Sequence, residues 1–475
     1  MAVPVPDLAE RADACARRLA AADSVLLASH IDADGLTSAA VAATALERAG
    51  ITFETVFKKQ LDEREIASIA AREYDTVLFT DFGSGQLDPI GAHEAAGDFT
   101  PVIADHHQPA ETDTEFHLNP LLEGLDGAAE LSGAGASYVL ARALEELDPA
   151  DSDPDNRDLS RLAVVGAVGD MQAVGGELVG ANQEIVAEGV AAGVLEEGTD
   201  LALYGKQTRP LPKLLEYASD VRIPGISNDE SGAISFLDGL GLDLTDGEQW
   251  RRWVDLTDEE RQTVASALVQ RAVKWGVPAE KIDGLVGTTY TLLDEPEGTE
   301  LRDASEFSTL LNATARYERA DVGLAVCLGD REAGLERARH LLQNHRRNLS
   351  AGLQWVTEQG VTREDNLQWF DAGDEIRETI VGIVAGMAVG TDGVDASMPI
   401  VAFARKSDEE TKVSARGTGR LVGRGLDLSA ALGEAAAAVG GGGGGHDVAA
   451  GATIPAGTER EFVEHADEIV GEQLG

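Results

Sequence analysis

The chain has 475 residues, 43% of them hydrophobic, and a formal charge of −46 from 84 acidic against 38 basic side chains. That length calls for two or three domains, and the apolar content excludes a disordered acidic chain. Cys15 and Cys327 are the only cysteines and form no CxxC pattern, which excludes a disulfide framework or thiolate zinc site and fits a reducing compartment.

The N-terminal text MAVPVPDLAERADACARRLA is a charged helical pattern without the apolar core of a signal peptide. From Ser24, SVLLASH reads as a buried strand, IDADG as a turn, and LTSAAVAATALERAG as a small-residue helix stopped by Gly50. ITFETVFKK, YDTVLFTD and PVIAD follow as three more strands with helical patterns between them, which predicts an α/β domain with a parallel sheet. In such sheets ligands bind beyond the carboxyl ends of the strands, where Asp32, Asp34, Asp81 and Asp105 fall.

After Asp170 the pattern becomes Pro-interrupted, then helical around QWRRWVDLTDEERQTVASALVQRAVKWG. Residues 1–190 are therefore expected to form a first α/β domain, 191–290 an inserted or bridging, largely helical region, and 291–475 a smaller α/β domain. Within the last, DVGLAVCLGD is expected as a strand, REAGLERARHLLQNHRRNLSAGLQWV as a long polar helix, and MPIVAFARKSDEETKVSARG as a hairpin. The longest apolar stretch, Ile380 to Gly390, falls far short of the roughly 20 residues that span a bilayer, so no membrane partner is expected.

Four features carry chemistry. In SHIDADG, His30, Asp32 and Asp34 alternate on a turn, which suits oxygen and imidazole ligation of cations, although DADG also reads as a plain helix N-cap. Asp81 ends a strand in LFTDFGSG; Asp105, His106 and His107 stand together in IADHHQP. Asp170 follows an almost wholly apolar run in AVVGAVGDMQ, where a carboxylate is costly unless paired or bound to metal. The six glycines Gly440 to Gly445 read either as a flexible linker or, with His446 and a small-residue segment behind them, as an anion-binding concavity. Arg416 is a candidate phosphate contact, with Lys412 and Arg420 behind it.

The order HxDADG, strand-end Asp, DHH and GD resembles the DHH phosphoesterase superfamily, and most closely its archaeal RecJ-like exonucleases, the type associated with the GINS replication complex. RDASEFSTLLNATAR and GGGHDVAAG extend the resemblance to that family's C-terminal substrate-binding domain. It implies a metal-dependent phosphodiesterase that acts on single-stranded DNA or RNA. Asp32 would serve one metal and Asp34 the other, Asp81 would bridge them, and His106 with Asp170 would complete the second site. His107, beside Asp105, would face the scissile phosphate, and His30 would neighbour the first site or the substrate. Gly442, Gly443, Gly444, Gly445, His446 and Arg416 would hold substrate. Some relatives carry a histidine four residues before the first aspartate, where this chain has Ala28, which leaves the role of His30 open. Carboxylates and imidazoles without thiolates suit two divalent ions, manganese first and magnesium second. Two other functions remain: hydrolysis of a small substrate such as an oligoribonucleotide, cyclic dinucleotide or pyrophosphate, and a catalytically silent replication scaffold.

The acids are scattered along the whole chain and only eight of the basic residues are lysines. This resembles a haloarchaeal cytoplasmic protein, in which concentrated salt screens the surface field that would otherwise repel polyanions.

Overall fold

The computed structural model describes residues 3–112, 114–147, 155–173, 176–218, 221–391 and 393–475. The chain divides into two compact units, 1–339 and 340–475.

The first unit begins with α1 (Ala9–Ala20) and then alternates strand and helix: β1 (Val25–His30), α2 (Ala33–Arg48), β2 (Phe53–Lys58), α3 (Glu63–Ala70), β3 (Thr76–Thr80), α4 (Leu87–Ala96), β4 (Thr100–Ala104) and the short β5 (His117–Leu118). All paired neighbours are parallel, in the order β2-β1-β3-β4-β5. The chain moves one way from β1 to β2 and the other way from β1 to β3, so the sheet has a switch point between β1 and β3, where α/β sheets open a crevice. β3 and all of β1 except His30 are buried, as strands covered by helices on both faces must be. Phe79 of β3 is fully buried against Phe82 and Phe99, and its truncation to alanine would cost about 3–5 kcal/mol.

Helices α5 (Gly133–Leu147), α6 (Ser160–Gly169) and α7 (Ala181–Ala191) follow, and α5 and α6 pack on α2. Small residues make this close approach possible: a Cβ on Gly166 of α6 would lie 2.4 Å from Asp34 Oδ1 and 2.5 Å from Ala134 Cβ. Helix Ala304–Arg316 also packs against α2 and α6.

Between these, strands Leu195–Leu201 and Val286–Leu292 pair antiparallel and bracket a mainly helical segment. Its helices Leu211–Glu216, Glu230–Asp238 and Asp258–Lys274 share a core that includes Leu214, Leu237, Trp253 and Leu268. A reciprocal capping box, Thr257 with Glu260, starts the longest of the three.

One sequence expectation is corrected here. DVGLAVCLGD is not a strand but the helix Ala320–Cys327. A short apolar run fits either periodicity, and tertiary packing decides. This helix rests on α2 at Gly323, where a Cβ would lie 2.7 Å from Leu36.

The second unit is built on a mixed sheet. Its strands run in the order 362–363, 368–371, 400–405, 410–416, 449–455 and 442–445, with one parallel pair, Gln368–Asp371 beside Ile400–Arg405. Helices Leu428–Ala438 and Glu459–Leu474 supply Leu432, Ala435, Phe462 and Val463 to its core. The expected hairpin is present as Ile400–Arg405 and Glu410–Arg416. The glycine run is no linker, because Gly442–Gly445 form the edge strand of this sheet. Cβ atoms on Gly441 and Gly443 would lie 2.4 Å from the Thr453 carbonyl oxygen and 2.7 Å from Ala452 Cβ, so sheet packing itself demands glycine there. Among the described residues no helix is long and apolar enough to cross a membrane.

Candidate metal centre

The turn after β1 is tight enough that a Cβ on Gly35 would lie 2.2 Å from the His30 carbonyl oxygen. Asp32 serves as the helix cap and keeps its second oxygen toward the cluster. Its Oδ1 accepts the Gly35 N–H at 2.8 Å and caps α2, while Oδ2 faces His30 Nδ1 at 3.0 Å. Asp34, in the first turn of α2, is buried and accepts the N–H groups of Gly133 at 2.7 Å and Ala134 at 3.0 Å. The N-terminus of α5 thus holds this carboxylate with its unsatisfied amides.

Asp81 follows β3 with φ +61°, a left-handed conformation that aspartate tolerates better than most side chains. Its Oδ2 lies 3.4 Å from His30 Nδ1 and its Oδ1 lies 3.3 Å from His106 Nε2. A Cβ on Gly133 would sit 2.5 Å from that Oδ1, so α5 reaches this carboxylate only because it starts with glycine.

His106 donates from Nδ1 to the Gly127 carbonyl at 2.6 Å, which leaves Nε2 toward the acids, 3.7 Å from both Asp34 Oδ2 and Asp170 Oδ2. Asp105 is fully buried and builds the turn. Its Oδ2 accepts the Ser84 N–H at 2.9 Å, and its Oδ1 accepts the His106 N–H at 2.8 Å and His107 Nδ1–H at 2.8 Å. The His107 ring is thereby oriented while more than half of it stays exposed. Asp170 caps the C-terminus of α6 and takes a 3.0 Å bond from Gln172 Nε2, which also donates to the Gly127 carbonyl at 2.9 Å. Asn182 in turn donates to Gln172 Oε1 at 2.7 Å.

His30, Asp32, Asp34, Asp81, His106, His107, Asp105 and Asp170 therefore converge in three overlapping groups of potential ligands, each with its atoms within 4.8 Å of one another. Sequence reasoning missed the supports: Gln172, Asn182, the Gly133 and Ala134 amides, and Asn312, whose side chain accepts the Ala33 N–H at 3.1 Å. The GDMQ spacing puts Gln172 near Asp170, but nothing in it says that the side chain turns inward.

The donor set fits divalent cations. His30 Nδ1, Asp81 Oδ2 and His106 Nε2 are buried atoms without a hydrogen-bond partner, an expensive arrangement that a cation between imidazole and carboxylate relieves. The electrostatics agree. Burial works against charge on His30, yet Asp32 and Asp81 outweigh it and raise its pKa to about 11. His106 behaves alike: burial opposes its charge, and Asp81 leads the carboxylates that push it well above the usual histidine range. Burial, then the charges of Asp81 and Asp170, raise Asp34 well above the carboxylate range. Burial also acts to raise Asp105, but His107 outweighs it and holds the carboxyl at about 2. The pocket calls for positive charge, and oxygen and imidazole donors without thiolate suit manganese or magnesium.

The remaining candidates lie in the second unit. Arg416 is half-buried, with Nη1 donating to the Ala415 carbonyl at 2.7 Å, and it pairs in register with Ala449. His446 is exposed in the turn joining the last two strands, and its N–H donates to the Ala449 carbonyl at 2.9 Å. These two residues thus share one end of the sheet with Gly445, whereas Lys412 pairs farther along with Thr453 and Arg420 is exposed on a short helix.

Family models match three successive stretches of the chain: the N-terminal domain of the DHH family at residues 24–166, the DHH-CID domain at 203–286 and the DHHA1 domain at 366–472. An uncharacterized protein of Methanocaldococcus jannaschii is 30% identical over 454 residues, which cover 94% of this chain and 93% of that protein. The chain belongs to the DHH family of phosphoesterases. Among solved structures, this DHH protein is similar to RecJ of Thermus thermophilus in complex with manganese, at a TM-score of 0.62 and 18% identity. That match covers 99% of the chain but 56% of the larger RecJ. A manganese-bound exonuclease RecJ gives 0.60 at 18% identity with 99% and 96% covered, and CDC45 of Entamoeba histolytica gives 0.63 at 11% identity with 98% and 97% covered. At these identities the likeness is one of fold.

Proposed function

We propose that this DHH protein is a RecJ-like exonuclease that hydrolyses phosphodiester bonds in single-stranded DNA, RNA or both, using two divalent cations with manganese preferred. The observation that carries this reading is the convergence of Asp32, Asp34, Asp81, His106 and Asp170 at the sheet's switch point, with imidazole nitrogens buried and unbonded among them. Asp32 would hold one cation and Asp34 the other, Asp81 would bridge them, and His106 with Asp170 would complete the second site. Bound cations supply charge stabilisation and water activation to phosphodiester hydrolysis. Asp105 orients His107, which would face the scissile phosphate, and His30 stays beside Asp32 and Asp81. At the C-terminal sheet, Gly442 to Gly445, His446 and Arg416 would hold the substrate strand. GINS is the protein partner that the archaeal resemblance proposes.

A silent replication scaffold is the rival reading, and the complete set of acids and imidazoles argues against it. The test is hydrolysis of oligonucleotides labelled at either end, in molar salt with manganese. Stepwise shortening that stops on chelation supports the exonuclease. Turnover of dinucleotides or pyrophosphate alone transfers the site to a small substrate, and no turnover of any of these leaves the scaffold.

A further inference from the structure

Helix α6 ends in a turn that sends three consecutive side chains into three environments. Asp170 faces His106 at 3.7 Å, Gln172 is fully buried in the bonds that steady that pair, and Met171 between them is 87% exposed. The Met171 N–H donates to the Val168 carbonyl at 3.2 Å and the Gln172 N–H to the Ala167 carbonyl at 3.0 Å. This is the helix-closing motif whose left-handed position belongs to glycine, sometimes asparagine, and here a methionine occupies it at φ +62°. Five non-glycine residues with positive φ occur among the described residues, and two of them, Asp81 and Met171, stand in or next to the ligand cluster. Strain held at such a place points to use.

Neither packing nor backbone preference accounts for a methionine there. The side chain is the most exposed large hydrophobic among the described residues, and glycine would close the helix without strain. Beside a pocket of charged groups it offers a soft, polarizable apolar surface, the kind that makes favourable contacts with flat rings.

We propose that Met171 is a substrate-positioning contact that lies against the base of the nucleotide whose phosphate sits at the carboxylate cluster. The proposal rests on the phosphodiesterase reading and deepens it, because such a contact serves a nucleic acid and gives nothing to pyrophosphate. Every base has a flat face, so the contact is indifferent to sequence.

The experiment compares wild type with Met171→Asn, Met171→Gly and Met171→Leu under manganese. The substrates are oligonucleotides that carry either a normal or an abasic nucleotide at the cleaved position. Asparagine and glycine suit the left-handed backbone, so neither should lower the melting temperature. Both should raise KM on the normal substrate about five- to tenfold, leave kcat within about twofold, and erase the difference between normal and abasic substrates. Leucine should retain most of the wild-type KM. An unchanged KM in the asparagine variant, as expected if a protein partner covers Met171 instead, overturns the proposal. So does a fall in kcat at constant KM, which would place the effect on Asp170. If wild type hydrolyses neither substrate, the phosphodiesterase reading falls and takes this one with it; hydrolysis insensitive to residue 171 overturns the Met171 contact alone.

Discussion

The carboxylate cluster and the C-terminal glycine hairpin belong to one chain but are made of opposite materials. The cluster is built from ionisable side chains drawn from separate segments, several of them fixed by named hydrogen bonds, as Asp34 is by the Gly133 N–H, His106 by the Gly127 carbonyl and Asp170 by Gln172. The hairpin offers exposed backbone from an edge strand without side chains, plus one half-buried arginine and one exposed histidine. A site that alters bonds needs fixed charge, whereas a site that only retains a polymer works with repeated, adaptable contacts.

The sharpest way to break this contrast is Asp81→Asn. Asparagine tolerates the left-handed backbone at this position, so the fold should persist while hydrolysis falls by at least about 1,000-fold. Near-normal turnover with an unchanged circular dichroism spectrum would remove Asp81 from the chemistry. At the other region, replacing His446 and Arg416 together with alanine should raise KM on long oligonucleotides about five- to tenfold and leave a small activated phosphodiester nearly unaffected. Equal losses on both substrates would mean that the two regions do not divide the labour.

Weaker effects sharpen the contrast between buried and exposed acids. Exposed carboxylates repel one another through water, so melting should occur several degrees higher in about 2 M than in about 0.1 M potassium chloride. Equal melting temperatures in the two salts would discard the halophile reading. Glu306 is buried, its oxygens accepting from the Gln207 N–H and the Thr208 hydroxyl, and burial raises its pKa to about 7. The folded chain therefore keeps a proton that the unfolded chain releases above about pH 4.3, and stability should decline as pH rises from there to about 7. Glu306→Gln should lose less melting temperature than wild type between about pH 5 and pH 8, by a few degrees. Parallel profiles for the two proteins would show that Glu306 does not titrate in this range.

Much of the first sheet and its acids was legible because several apolar runs end in aspartates, a local signal. The supports were not, since Gln172, Asn182 and the amides of Gly133 and Ala134 act across separations that spacing does not encode. The helix Ala320–Cys327 was misread for a related reason: its apolar run is too short to show a period, and Gly323 against Leu36 fixes the outcome. In the glycine run, composition pointed to flexibility, while backbone pairing with Ala450 to Thr453 makes it a strand.

The Gly133 and Ala134 amides meet Asp34 across 99 and 100 residues of chain, and His106 meets Asp34 and Asp170 from a third segment. Such a centre cannot exist in a partly folded chain, because closing those loops precedes any return from the contacts. A cation should therefore find its place only after the sheet is complete, slowing unfolding while leaving the rate of folding almost untouched.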